Sequence, residues 1–151
     1  MSTVQILVGS TLGGTEYVAE AAQTLLEEAG FDSELYFDPD LNTLSLSEDE
    51  VWLICLSTHG AGDYPENFKP FVEQLQSVNA PLVDVRYGVI GVGDSNYDTF
   101  CEAAKNIDYI LEEMGAVRIG DRFEIDVVDH PIPEDSIEQW IPLWVEDLNN
   151  L

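Results

Sequence analysis

Gly9-Ser10-Thr11-Leu12-Gly13-Gly14-Thr15 directly follows the apolar run Val4-Gln5-Ile6-Leu7-Val8 and directly precedes a stretch with helical spacing. A β-type run, a turn of glycines and small hydroxyl residues, then an amphipathic helix make one unit of a parallel α/β sheet. The arrangement recurs twice. Ser57-Thr58-His59-Gly60-Ala61-Gly62-Asp63 follows Val51-Trp52-Leu53-Ile54-Cys55-Leu56, and Gly91-Val92-Gly93-Asp94-Ser95-Asn96-Tyr97 closes the run that begins at Tyr87. In an open parallel sheet the carboxyl ends of the strands share one edge, where ligands bind. The three stretches therefore predict a single pocket assembled from distant parts of the chain.

Working outward, Val18, Ala19, Ala22, Leu25, Leu26 and Ala29 recur at helical spacing from Gly14 to Ala29, and Gly30 is a natural stop. Glu34-Leu35-Tyr36-Phe37 reads as a second strand. Val51 to Leu56 is nearly all apolar, as a central strand buried on both faces should be. The spacing predicts helices over Glu66–Val78 and Tyr97–Met114. Val117-Arg118-Ile119 and Phe123–Val127 supply a fifth strand, interrupted at Gly120-Asp121. Ile137, Trp140, Ile141, Trp144, Val145 and Leu148 trace a terminal helix, with Trp140 and Trp144 as core. Pro142 inside it costs ~3 kcal/mol and predicts a kink or a late start. The order of elements gives an α/β fold: a doubly wound five-stranded parallel sheet, strand order 2-1-3-4-5, with helices on both faces. No linker or repeat divides it, so residues 1–151 read as a single domain.

Thirty acidic residues against five Lys and Arg leave a net charge of −25. Such a field repels nucleic acid and anionic membrane surfaces and favours basic partners. No apolar run approaches the ~20 residues of a spanning helix, and no basic segment precedes an apolar stretch at Met1. With two cysteines, of which Cys55 lies inside an apolar run as a buried, inert thiol, the chain reads as cytoplasmic.

The first turn suits a phosphate monoester. Ser10, Thr11 and Thr15 offer hydroxyl donors, while Gly13 and Gly14 let backbone N–H groups turn inward at a helix start. No Lys or Arg occurs before Lys69, so an anion here must be held without a charged side chain. A Walker A loop would need Gly-Lys-Ser/Thr where Gly14-Thr15 stands, and Gly91-Val92-Gly93 lacks the third glycine of a dinucleotide fingerprint. The second and third stretches suit a flat ring. His59 and Tyr97 are candidates to lie against its faces. Gly60, Ala61 and Gly62 leave room for its edge, and Asp94 serves as an Asx turn, a helix cap or a ring contact. Phosphate plus flat ring points to flavin mononucleotide (FMN). A receiver-type signalling domain is disfavoured, because Gly9-Ser10 and Ser57-Thr58 occupy the places where it needs acids.

With these stretches and their extensions, Glu16-Tyr17-Val18-Ala19-Glu20 and Asp98-Thr99-Phe100-Cys101, the sequence resembles the flavodoxin family nearly end to end. Within it the sequence closely resembles the short, MioC-type members, and the third stretch is also similar to the FMN domains of diflavin reductases. The resemblance implies a flavodoxin-like domain binding FMN noncovalently and shuttling single electrons. It implies contacts from Ser10, Thr11, Leu12, Gly13, Gly14 and Thr15, from Ser57, Thr58, His59, Gly60, Ala61 and Gly62, and from Gly93, Asp94, Asn96, Tyr97, Phe100 and Cys101. The implied partners are a basic-surfaced flavodoxin reductase that uses NAD(P)H and an acceptor redox enzyme, biotin synthase for MioC-type members. A monomeric, non-catalytic carrier is expected. An FMN-dependent quinone or nitro reductase and a flavin-free interaction module on the same fold are the alternatives. Leu12 and Gly14 stand where many flavodoxins have Thr and Asn, and His59 where many have Trp or Tyr.

Overall fold

The computed structural model describes residues 3–10, 14–47, 50–58, 62–78 and 81–151. The elements run β1 (Thr3–Gly9), α1 (Gly14–Glu28), β2 (Asp32–Tyr36), a 3-10 turn at Leu41–Thr43, β3 (Glu50–Ser57), α2 (Lys69–Ser77), β4 (Arg86–Gly93), α3 (Glu102–Glu113), β5 (Val117–Arg118), β6 (Phe123–Asp126) and α4 (Pro133–Asn149). All strand pairs are parallel, in the order β2-β1-β3-β4-β5. β6 also pairs with β4, further along it than β5 does, so these two short strands are successive pieces of one interrupted edge strand.

Side chains alternate across the sheet with period two. Val51, Leu53 and Cys55 of β3 join Val18, Ala22, Ile137 and Trp144 in a core under α1 and α4. Trp52, Ile54 and Leu56 join Phe71, Leu75, Ile107 and Leu111 in a second core under α2 and α3. This is the doubly wound arrangement the sequence predicts, with the carboxyl ends of β1, β3 and β4 at a common edge.

Element starts account for most of the differences. β2 begins at Asp32 and ends at Tyr36, one residue short of Phe37. α2 begins at Lys69, three residues late, because the Pro65 carbonyl accepts the N–H groups of both Phe68 and Lys69 in a preceding turn. α3 begins at Glu102 instead of Tyr97. Residues 94–101 are spent on turns, and Cys101 holds a left-handed backbone (φ 52°) that no helix continues through. α4 starts at Pro133, earlier than a late start would have it, and runs through Pro142. Pro133 suits a first helical turn, and Glu134 and Asp135 complement its dipole. Ile137, Ile141, Trp144 and Leu148 are all buried along it. At ~1.5–3 kcal/mol for each buried side chain, their packing outweighs the ~3 kcal/mol cost of one interior proline. Trp144 is core as expected, whereas Trp140 is half-buried and stacks between Phe123 and Trp144, with ring centroids 5.6 Å apart on both sides.

A cluster the sequence does not announce holds α3 to the interrupted edge. Asp108 is 2% exposed. One carboxylate oxygen accepts from Arg118 at 2.8 Å and Arg122 at 2.6 Å, and the other from the Tyr87 hydroxyl at 2.7 Å. Arg122 also donates to Glu124 at 2.8 Å. Burial, followed by the hydrogen bond to Asp108, pushes the Tyr87 phenol far above its ordinary value.

Candidate functional site

A cavity of about 550 Å³ opens at the carboxyl edge of the sheet. Its wall takes Ser10, Gly14 and Thr15 from the first stretch, Ser57 and Thr58 from the second, and Val92, Gly93, Asp94, Tyr97, Thr99, Phe100 and Cys101 from the third and its extension. Strand order then fixes the chemistry of each side. The hydroxyls of Ser10 and Thr15 follow β1, and the aromatic rings of Tyr97 and Phe100 follow β4. Ten of the residues implied for the cofactor therefore meet on one wall. Gly62 and Asn96 stand off it. Thr11, Leu12, Gly13, His59, Gly60 and Ala61 lie outside the described residues.

Thr15 occupies the first turn of α1 and is 2% exposed, so its hydroxyl belongs to the interior of the site. At the β4 side Tyr97 is 65% exposed while lining the cavity, an aromatic face open to whatever enters. The Asp94 carboxylate accepts the Asn96 N–H at 2.8 Å and its carbonyl accepts the Tyr97 N–H at 3.1 Å. Asp94 is thus an Asx turn that aims Tyr97. Asp126 secures the turn from outside by accepting the N–H groups of Ser95 at 3.1 Å and Val128 at 3.0 Å. Hydrogen bonding from Ser95, then from the Val128 amide, with the charge of His130, holds the Asp126 carboxyl below its ordinary value despite some desolvation.

Two side chains, one inside the second stretch and one just beyond it, tie the loops together. Thr58 Oγ1 accepts the Ala103 N–H at 3.1 Å, capping α3, whose own N-cap residue, Cys101, offers no side-chain cap. Asn67, on the return limb, bonds to the end of β1 at Val8 and Ser10. Gly62 has φ +104°, which L side chains rarely adopt, and a Cβ there would stand 3.3 Å from Glu102 Cγ. Burial, reinforced by Glu124, pushes the Cys101 thiol up to about 12, and burial alone takes Cys55 to about 12. Both thiols stay protonated near neutrality and neither is a nucleophile.

Sequence reasoning missed part of the wall. Val127 and Pro131, from the segment joining β6 to α4, and Pro133, the first residue of α4, reach the cavity. No turn or glycine motif marks them. The one available signal is that the fifth strand also ends at the ligand-binding edge.

The comparisons agree with this architecture. The sequence matches the flavodoxin family over residues 6–140. It is 46% identical to protein MioC of Escherichia coli (strain K12) over 145 residues, covering 96% of this chain and 97% of that protein. It is 33% identical to flavodoxin YqcA of the same organism over 144 residues, covering 95% and 97%. Among solved structures, the C101S mutant of flavodoxin from Pseudomonas aeruginosa superposes with a TM-score of 0.89 at 30% identity, covering 97% of this chain and 99% of that one. A doubly wound domain with an open, hydroxyl- and aromatic-lined cavity at its switch edge is the architecture of a flavin-carrying electron-transfer protein. The chain belongs to the flavodoxin family, as a MioC-type member. Its cofactor is FMN and its class of function is electron transfer.

The cavity fits that cofactor. Its volume lies within the ~300–1,000 Å³ of small-molecule sites. The helix start at Gly14 with the buried Thr15 hydroxyl suits a phosphate, and the exposed Tyr97 face suits a ring.

Proposed function

We propose that residues 1–151 act as one FMN-binding domain, with the phosphate at Ser10, Gly14 and Thr15 and the ring between the second and third stretches against Tyr97 and Phe100. When bound, FMN supplies one-electron redox chemistry; the chain's own residues bind, orient and shield it. The amide donors at the start of α1, with the hydroxyls of Ser10 and Thr15, offset the two negative charges of a phosphate monoester. Tyr97 covers a ring face and remains exposed, so one edge of the site stays open to a partner. The observation that carries this reading is the cavity placing the Ser10 hydroxyl and the buried Thr15 on the β1 side and an open aromatic face on the β4 side.

The net charge of −25 favours basic partners and makes their encounter sensitive to salt. The reading therefore extends to a basic-surfaced, NAD(P)H-dependent flavodoxin reductase as donor. Biotin synthase is the acceptor suggested by the MioC-type resemblance. The proposed setting is a cytoplasmic monomer; among the described residues no helix is long and apolar enough to cross a membrane.

The test is an FMN titration followed by anaerobic reduction. The protein should turn yellow with stoichiometric FMN and stay oxidised with NADPH alone. It should become reduced once a flavodoxin reductase is added, then pass electrons to biotin synthase. Rapid reduction by NADPH alone would mark a quinone- or nitroreductase-type enzyme, and failure to take up FMN would leave an interaction module.

A further inference from the structure

We infer that Asn67, a residue outside all three loop motifs, is the positioning residue for the phosphate site; the inference rests on the proposed phosphate site at Ser10, Gly14 and Thr15. Asn67 lies on the return limb of the second stretch, in Asp63-Tyr64-Pro65-Glu66-Asn67-Phe68. Its amide nitrogen donates to the Val8 carbonyl at 2.9 Å and to the Phe37 carbonyl, and its amide oxygen accepts the Ser10 N–H at 3.1 Å. Two carbonyls on one side and one N–H on the other match the amide in a single orientation. One side chain thus joins the exit of β1, the exit of β2 and the second stretch.

The clamp has a rigid base. Phe68, the next residue, is fully buried, its ring against Phe71 at 5.3 Å and Tyr64 at 6.2 Å. Its N–H donates to the Pro65 carbonyl at 2.9 Å, closing the turn that carries Asn67. Gly9 permits the approach, since a Cβ there would stand 3.0 Å from Phe68 Cβ and force the two segments apart. Val8 and Ser10 flank Gly9, so the amide holds both peptides at the point where the strand becomes the turn. Ser10 is on the cavity wall, and its backbone N–H is already committed to Asn67. That bond fixes where Ser10 stands on the wall it shares with Gly14 and Thr15. A site without a cation gains its affinity from the geometry of several weak dipoles, which makes it sensitive to such a constraint.

A positioning role for the phosphate turn alone makes a specific demand: loss of Asn67 should weaken FMN and spare riboflavin, which has the ring without the phosphate. Flavin fluorescence titrations of wild type and Asn67→Ala with both ligands give the ratio of the two affinities. Asn67→Ala should lower that ratio by about tenfold or more while riboflavin affinity changes by less than about threefold. Asn67→Asp keeps the acceptor for Ser10 but turns lone pairs toward the Val8 and Phe37 carbonyls and adds a negative charge, so its ratio should fall further. If Asn67→Ala does not fold, Asn67→Ser, which retains one donor, must still show a lowered ratio. A ratio that survives substitution, whether both affinities hold or both fall together, overturns the inference while leaving the phosphate site intact. A wild-type ratio of one overturns the phosphate site itself, and the inference with it.

Discussion

Two polar regions of this molecule solve opposite electrostatic problems. Around Asp108, two of the chain's five Lys and Arg residues, with a tyrosine hydroxyl, are gathered on one buried carboxylate. At the cavity, the proposed site of a doubly charged phosphate, none of the described wall residues is cationic. A buried carboxylate pays a desolvation cost that only direct, hydrogen-bonded countercharge recovers. A phosphate at a helix start is already met by amide dipoles and needs hydroxyls and geometry instead. On the proposed reading, two of the scarce cations serve the fold, and anion recognition is left to amides and hydroxyls.

The comparison breaks most visibly at Asp108. Asp108→Asn leaves two guanidinium groups facing a neutral amide. It should destabilise the protein by about 3 kcal/mol, the low end for a broken buried pair because Arg118 and Arg122 are 34% and 28% exposed. Urea unfolding should show the lowered midpoint, with FMN affinity of the folded variant within about twofold of wild type. A matching loss of FMN affinity would mean that the two regions are not independent.

At the cavity the expectation reverses. Thr15→Val keeps the shape of the side chain and removes the buried hydroxyl, so FMN binding should weaken about tenfold. Riboflavin binding should hold, and stability should fall by about 1 kcal/mol or less. Tyr97→Ala probes the ring side of the same wall. Stacking is worth ~0.5–1.5 kcal/mol, so FMN and riboflavin should both weaken by roughly two- to tenfold, in parallel. A phosphate-dependent loss from Tyr97→Ala would contradict the assignment of the two sides.

The smallest effect concerns the outer support of the third stretch. Asp126 has its carboxyl held below the ordinary 3.8 in the folded state. Its stabilisation is therefore fully present above that unfolded value and is lost as the pH falls through the lower folded one. Asp126→Asn should be slightly less stable than wild type near neutrality, with the gap closing in strong acid. Parallel stability–pH curves for the two proteins would show that Asp126 contributes nothing through its charge.

Legibility from the sequence differed between these regions for a physical reason. Ser10, Thr15, Ser57, Thr58, Asp94 and Tyr97 belong to stretches that follow apolar runs, and parallel pairing alone brings such stretches to one edge. Asn67 bonds to residues 30 to 59 positions away. Asp108 reaches Tyr87, Arg118 and Arg122 across separate elements, and each of these residues reads locally as an ordinary member of a helix, strand or loop. The delayed start of α3 was hidden because Phe100 continues the apolar stripe while its neighbour Cys101 leaves helical geometry.

By itself, the pattern of apolar runs and glycine-rich turns determined the parallel order of the strands, the two helical layers and the edge at which the loops converge. Periodicity and turn chemistry are properties of neighbouring residues, so they survive in the linear chain. Only the tertiary structure decided that Asn67 clamps the first turn and Thr58 caps α3. It likewise decided that Asp108 collects two arginines and that Val127, Pro131 and Pro133 complete the wall. Those choices depend on donors, acceptors and charges that become neighbours only after the sheet has formed.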